Sequence, residues 1–341
     1  LTVDIFNQHH CSLFSDLFSF SLILRQSGTI QMNKLDFYTK VYASLNNLPG
    51  MPIWLFTPFR RLVRFCANKA LPKYLARQEF EKSSSQDGVI ISFTSFPARI
   101  DNVWQVVECM FRQTVQPAKI LLWLSKEQFP TRESIPESLR ERENDIFEIR
   151  MVDSDICSHK KYYYVAKEFP YSLVFLIDDD IYYRPDILEL SLKAREKHPD
   201  AVICNYGSHI GYNEDGSLKP YNMWKMVDGF SDADDLFFGS GGGTLFCPSE
   251  LHQDLTDIEK ARRLTPIADD IWLNAMVRLA RQKIVMIENN LILPIYNKNN
   301  TTLSSQNLSM GENDRQLENV MKVYGDVFKC RDNTTVCKRG Q

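Results

Sequence analysis

The chain has 341 residues, 44% hydrophobic and 24% charged, an ordinary globular composition that leaves room for one large domain with attachments and excludes disorder and fibre. Forty Lys and Arg against 43 Asp and Glu leave a formal charge of -3, so no overall cationic field exists to hold duplex nucleic acid, and none is expected as a partner. Eight cysteines stand singly, without a Cys-x-x-Cys pair; zinc or dithiol chemistry is not indicated, and reduced thiols of a cytoplasmic protein are the expectation.

The first segment, residues 1–31, precedes Met32 and reads poorly as any element, so it is expected to be an upstream extension of the reading frame. Its most apolar part, Leu13 to Leu24, is interrupted by Ser15, Asp16 and Ser19, well short of the roughly 18–20 apolar residues of a spanning helix. It also lacks the basic start of a signal peptide. Residues 1–80 carry nine bases and four acids, against 31 and 39 in the remainder, a basic head on an acidic body. From Phe37 to Gln78 seven bases occur without one acid, interleaved with Trp54, Leu55, Phe56, Phe59, Leu62, Val63, Phe65 and Leu71. Two readings fit this segment equally: a helix lying in an anionic membrane interface, or a basic helix packed against the acidic body. The first would make the protein peripheral on the inner membrane face. Residues 1–87 are therefore read as an N-terminal extension.

Gln78 to Gly88 is polar and serine-rich, a linker, after which the composition changes. Val89–Phe93, Lys119–Leu124, Phe147–Val152 and Ser172–Ile177 read as short buried strands, with helical spacing over 103–111, 136–143 and 160–168. That alternation predicts an α/β fold, a mostly parallel sheet flanked by helices, whose ligands bind beyond the carboxyl ends of the strands. The domain is expected to span residues 88–300, followed by a C-terminal helix or tail over 301–341 that opens with the loop-like run NKNNTTLSSQN.

The fourth strand runs into Asp178, Asp179 and Asp180. Clustered carboxylates raise one another's pKa unless a cation neutralises them or solvent dilutes them. Alternate residues of a strand point the same way, so Asp178 and Asp180 can address one ligand while Asp179 faces elsewhere, and an oxygen-only site of this kind suits Mg²⁺ or Mn²⁺. A plain acidic turn is the alternative. Gly239 to Gly243 (GSGGG) is too glycine-rich for a regular element interior, so the backbone there must bend sharply or approach a ligand closely; without a following GK[ST] it is no P-loop. Asp269 and Asp270 precede the stripe Ile271, Trp272, Ala275, Met276 and Leu279, so one of them is expected at a helix start.

Four segments together, VIISFTSFPARI (89–100), SHKKYYY (158–164), FLIDDDIYYRP (175–185) and GSGGGTLF with IADDIWLNAM (239–246 and 267–276), resemble a nucleotide-sugar-dependent glycosyltransferase of the GT-A (Rossmann-like) fold. The resemblance is to the family-two-like kind of bacterial polysaccharide synthesis. It implies a UDP-sugar donor, a glycan or lipid-linked glycan acceptor, metal-assisted and inverting transfer, and a divalent Mn²⁺ or Mg²⁺ held by Asp178 and Asp180. Asp179 would lie near ribose or sugar, and Thr94, Ser95, Pro97 and Arg99 near the nucleoside. Asp153 would meet the base, and Lys160 or Lys161, after His159, would offset diphosphate charge. Gly241 and Gly242 would border donor sugar and acceptor. Asp270 would be the base that deprotonates the acceptor, with Asp269 second. Each assignment has a bland counterpart: a salt bridge for Arg99, an exposed turn for Asp153, a solvated helix face for the lysines. The chain departs from many such enzymes in having no histidine after His252, hence no late histidine metal ligand. Other classes stay open: a sugar nucleotidyltransferase, although SFPAR is not a glycine-rich basic nucleotide loop; another Mg²⁺-dependent phosphate-transfer enzyme; or a non-catalytic carbohydrate-binding protein.

Overall fold

The computed structural model describes residues 33–45, 56–77, 88–287, 292–296 and 311–329. The expected upstream extension, most of the serine-rich linker, Trp54, Leu55 and the asparagine-rich run lie outside the described residues. Among these residues the core is a seven-stranded sheet in the order β11-β6-β10-β4-β1-β2-β3. Its strands are β1 (Ile90–Thr94), β2 (Lys119–Ser125), β3 (Phe147–Val152), β4 (Val174–Ile177), β6 (Val202–Cys204), β10 (Gly242–Phe246) and β11 (Ile284–Met286). β1 pairs in parallel with β2 and β4, β2 with β3, and β6 with β11; β10 alone runs antiparallel, between β4 and β6. This is the α/β, mostly parallel, helix-flanked fold expected from the alternation, with one reversed strand added.

The strands alternate strictly between two apolar layers, as a period of two requires. Ile91, Phe93, Leu122, Ile149, Phe175 and Ile177 face one layer, and there they meet α3 (Val103–Phe111) and α6 (Ile187–Lys197). Ile90, Leu121, Trp123, Val174, Leu176 and Met286 face the other, against α5 (Lys160–Glu168) and α8 (Asp269–Leu279). Buried on both faces, such strands carry few polar residues. One that they do carry, Ser92, ties α5 to the sheet: its hydroxyl donates to the Lys161 carbonyl at 2.5 Å and accepts from the Trp123 indole N–H at 2.9 Å.

Both peripheral segments pack on this body. α1 (Lys34–Ser44) and α2 (Thr57–Leu75) bury Leu35, Tyr42, Ala67, Leu71 and Leu75 in the first layer. α9 (Glu312–Tyr324) buries Leu317 and Val320 in the second. Two small sheets complete the described fold: β5 (Ile181–Tyr182) with β12 (Leu293–Pro294), and β7 (Gly207–His209) between β8 (Lys225–Met226) and β9 (Leu236–Phe238). The remaining helices, α4 (Glu137–Arg140) and α7 (Ile258–Leu264), are short.

Of the two expectations for the glycine-rich segment, the structure shows the sharp bend. Gly242 and Gly243 lie within β10, whose register with β4 shifts between Gly242 and Thr244, and Gly243 takes φ +102°. The close approaches are to protein: a Cβ on Gly242 would sit 2.3 Å from the Tyr206 Cβ, and one on Gly243 2.9 Å from the Phe175 ring. A sharp bend is present, and the bend is what joins β10 to the end of β4.

Candidate active site

β4 ends at Ile177, so Asp178, Asp179 and Asp180 occupy the turn that follows. Strand alternation therefore does not apply, and the expected pairing of Asp178 with Asp180 opposite Asp179 is not what forms. Asp179 and Asp180 share one cation instead. The Arg99 Nη1 lies 2.8 Å from Asp179 Oδ1 and 3.1 Å from Asp180 Oδ2, and the Ser95 hydroxyl donates to Asp179 Oδ2 at 2.5 Å. Ser95 and Arg99 follow β1, the neighbour of β4, so parallel pairing brings the two strand ends together.

Asp178 turns the other way. Lys161 Nζ, on the first turn of α5, lies 2.9 Å from Asp178 Oδ1 and 3.1 Å from Asp269 Oδ2. Asp269 also accepts from the Ser240 hydroxyl at 2.7 Å. The Asp178 backbone N–H reaches the Gly241 carbonyl at 3.2 Å and the Tyr183 hydroxyl at 2.7 Å, and that hydroxyl donates to the same Gly241 carbonyl. Glycine at 241 is a steric requirement, since a Cβ there would fall 1.8 Å from the Asp178 carboxyl carbon.

Asp269 and Asp270 form the first turn of α8, with Ala268 as N-cap and no side-chain cap. Both carboxylates thus sit where the helix dipole favours negative charge. α8 is held in place by Asn274, whose amide donates to the Phe238 carbonyl at 2.8 Å and accepts from the Phe238 N–H at 3.1 Å.

The electrostatics divide the five carboxylates. Burial pushes Asp269 up, but Lys161, His159 and Ser240 outweigh it and hold this carboxyl below its ordinary value. Burial, reinforced by the neighbouring Asp269 charge and only partly opposed by Lys161, pushes Asp270 up to about 7. Burial and the Asp179 charge likewise push Asp180 up to about 7, against the pull of Arg99. Arg99 and Lys161 are both held more firmly protonated: burial opposes this, and the surrounding carboxylates outweigh it. Two cations face five carboxylates, an imbalance that invites a further positive charge. Among the described residues no three His, Cys, Asp or Glu side chains converge as a metal cage. A divalent ion here would draw on the half-buried Asp178 or Asp180, which face different cations, with phosphate and water completing an oxygen shell.

The other candidate residues are placed as follows. Thr94 donates to the Trp123 carbonyl at 2.8 Å, and Pro97 is exposed in the turn after β1. His159 is buried between the Tyr162 hydroxyl (2.9 Å) and the Thr265 carbonyl (2.6 Å). Lys160 is buried and ion-paired with Asp155, and Lys161 is buried among Asp178 and Asp269; neither is the solvated face that two adjacent lysines suggest. Asp153 stands apart at the end of β3, 88% exposed and bridged to Lys126 at 2.6 Å. The cluster thus unites Ser95, Arg99, Lys161, Asp178, Asp179, Asp180, Gly241 and Asp269, with Asp270 beside it, and leaves out Asp153 and Lys160. The sequence reading missed Tyr183, Ser240 and Tyr206. Tyr183 and Ser240 stand inside the quoted motifs, a positional signal. Tyr206, whose ring covers Gly239 and Gly242, follows a three-residue strand with no motif to mark it.

No protein-family model and no curated protein matches this chain. Solved structures that match include HddC from Yersinia pseudotuberculosis, at 14% identity over 50% of this chain and 78% of that one, TM-score 0.31. A 4-diphosphocytidyl-2C-methyl-D-erythritol synthase matches at 11% identity over 68% and 99%, TM-score 0.37. An apo UDP-glucose pyrophosphorylase matches at 10% identity over 69% and 97%, TM-score 0.35.

Proposed function

We propose that the protein is a transferase acting on a nucleoside-diphosphate sugar, and that it moves the sugar to a hydroxyl of a glycan or lipid-linked glycan. The observation that carries this reading is the pairing of two unlike carboxylates at the start of α8. Asp269 is buried and ion-paired, whereas Asp270 is half-buried with its pKa raised to about 7. A carboxylate so poised is suited to take a proton near neutral pH. In the proposed reaction Asp270 accepts the acceptor hydroxyl's proton as that oxygen bonds to the anomeric carbon, and the bond from that carbon to the diphosphate breaks. The nucleoside diphosphate leaves on the opposite side, with inversion. Lys161 and Ser240 hold Asp269 in the first turn of α8, and burial together with the Asp269 charge raises the basicity of Asp270 against the pull of Lys161. Asp178 or Asp180 would hold a divalent ion, whose chemistry when bound is neutralisation of the donor diphosphate. Arg99 keeps Asp179 and Asp180 in place at the end of β4.

A second reading is nucleotidyl transfer, in which a nucleoside triphosphate and a sugar phosphate give a nucleotide sugar and pyrophosphate. It is the class to which the names of the pyrophosphorylase and synthase above belong. The segment after β1 weighs against it, because Ser95 and Arg99 are engaged with Asp179 and Asp180 rather than presenting an open, glycine-rich cradle. The experiment is incubation with UDP-, GDP- and dTDP-sugars and Mn²⁺, and in parallel with the matching nucleoside triphosphates and sugar phosphates, followed by separation of the phosphate products. Release of nucleoside diphosphate supports sugar transfer. Consumption of a nucleoside triphosphate and sugar phosphate with release of pyrophosphate overturns it in favour of the second reading.

A further inference from the structure

None of the bases in the described part of the basic segment is paired with the carboxylate cluster, and α2, its longest described helix, has two unlike faces. The inner face of α2 is fixed to the body. Ala67, Leu71 and Leu75 are buried there; the Asn68 amide donates to the Pro294 carbonyl at 3.0 Å, and its oxygen accepts from the Tyr296 N–H at 2.7 Å. Arg112 donates to the Leu75 carbonyl at 3.1 Å. The guanidinium of Arg64 lies 4.4 Å from the centre of the Tyr296 ring.

The outer face differs in both halves. Phe59 and Leu62 are each 58% exposed and Phe65 47%, spaced at three residues, so they emerge on one side of the N-terminal half. Lys69 and Lys73 continue along the helix, Arg77 follows in the turn beyond its end, all three are exposed, and Arg61 flanks the apolar group. Between Phe37 and Gln78 no acid offsets these charges. Tyr171, 85% exposed, lies outside this segment.

We propose that this outward face of α2 docks on an anionic lipid bilayer, with Phe59, Leu62 and Phe65 at the headgroup–acyl boundary and Arg61, Lys69, Lys73 and Arg77 on the headgroup charges. Charge complementarity selects this occupant. A second copy of the chain would set the same bases against one another, and a polyanion without an apolar layer would leave the three apolar side chains in water. The combination of an apolar stripe and a surplus of bases is what an interfacial helix presents to lipid. No described helix is long and apolar enough to cross a membrane, so the contact is peripheral, made by a helix whose other face is already part of the fold.

The test is flotation of the full chain with vesicles of phosphatidylcholine alone and of phosphatidylcholine with about one-third phosphatidylglycerol, at low and high salt. The wild type is expected to float with the anionic vesicles and to detach in high salt. Neutralising Lys69, Lys73 and Arg77 to Gln is expected to weaken binding about five-fold per charge removed, and the triple variant Phe59→Ser, Leu62→Ser, Phe65→Ser to remove it. Tyr171→Ser is expected to bind as wild type. Unchanged melting temperatures without lipid would show that the variants are folded, as substitutions at exposed positions should leave them. Equal binding to both vesicle types at low salt, no binding to either, or wild-type binding by either triple variant would overturn the proposal. So would a concentration-dependent dimer abolished by the same variants without any effect of lipid.

Discussion

At the residue scale the site depends on a division of labour between adjacent carboxylates. Asp269 and Asp270 differ by one position in the first turn of α8, yet one faces Lys161 and Ser240 and the other does not. Replacing Asp269 by Asn unbalances a buried cation, a change expected to cost about 3 kcal/mol, and chemical denaturation should show it as a lowered midpoint with an unchanged slope. Asp270→Asn should behave oppositely. The folded protein holds this carboxyl above its ordinary value, so its ionisation opposes folding: its contribution to stability is complete below about pH 4 and is lost as pH rises toward about 7. Thermal melts of Asp270→Asn should therefore show a smaller fall in stability over that window than the wild type does. Gly241→Ala tests the close approach of backbone to Asp178. The added methyl group has no room beside that carboxylate, so Asp178 should swing off Lys161. Calorimetric titration with a nucleotide sugar and Mn²⁺ should then show donor affinity lost. Retained affinity would mean that Asp178 is not needed at that place.

At the element scale, what positions the site is the anchoring of α5 and α8 rather than the strands alone. Ser92, buried in the middle of β1, grips the first turn of α5 through the Lys161 carbonyl and so fixes the lysine between Asp178 and Asp269. The entry to α8 is held by α9: the side-chain oxygen of Gln316, fully buried, accepts from the N–H groups of Ile267 at 3.3 Å and Ala268 at 3.1 Å. Gln316→Ala would leave two buried donors without their acceptor, at a cost of about 2 kcal/mol, and urea unfolding should register it; a loss below a few tenths would show that water replaces the amide. None of this anchoring was legible in the sequence. A serine within an apolar run and a glutamine on a charged helix carry no pattern, because their partners lie 69 and 49 residues away.

At the scale of the whole molecule, the alternation of short apolar runs with helical spacing was enough to read the parallel half of the sheet, β1 to β4. Each of those strands is four to seven residues long, mostly apolar, with β3 (FEIRMV) alternating apolar and charged residues. β6, β9 and β11 are three residues long and fall below what periodicity can distinguish. β10 begins with two glycines and runs antiparallel, and strand direction leaves no mark in an apolar run. The acidic clusters could be found from sequence because one follows a buried strand and the other opens an apolar helical stripe, but which cation each acid meets depended on where β4 stops. An Asp triplet looks like strand alternation until Ile177 proves to be the last strand residue. The two lysines at 160 and 161 looked like a solvated face, and only the crossing of α5 over the strand ends turns one of them into the cluster.

The account rests on Asp270 as the group that takes the acceptor's proton, and the pH dependence of turnover tests this most directly. With a nucleotide-sugar donor and Mn²⁺, wild-type kcat is expected to rise with pH through a limb at about 7, where Asp270 loses its proton. Asp270→Asn is expected to turn over about 10²- to 10⁴-fold more slowly, with that limb gone and donor binding kept. A variant that keeps both wild-type turnover and the same limb would contradict the assignment.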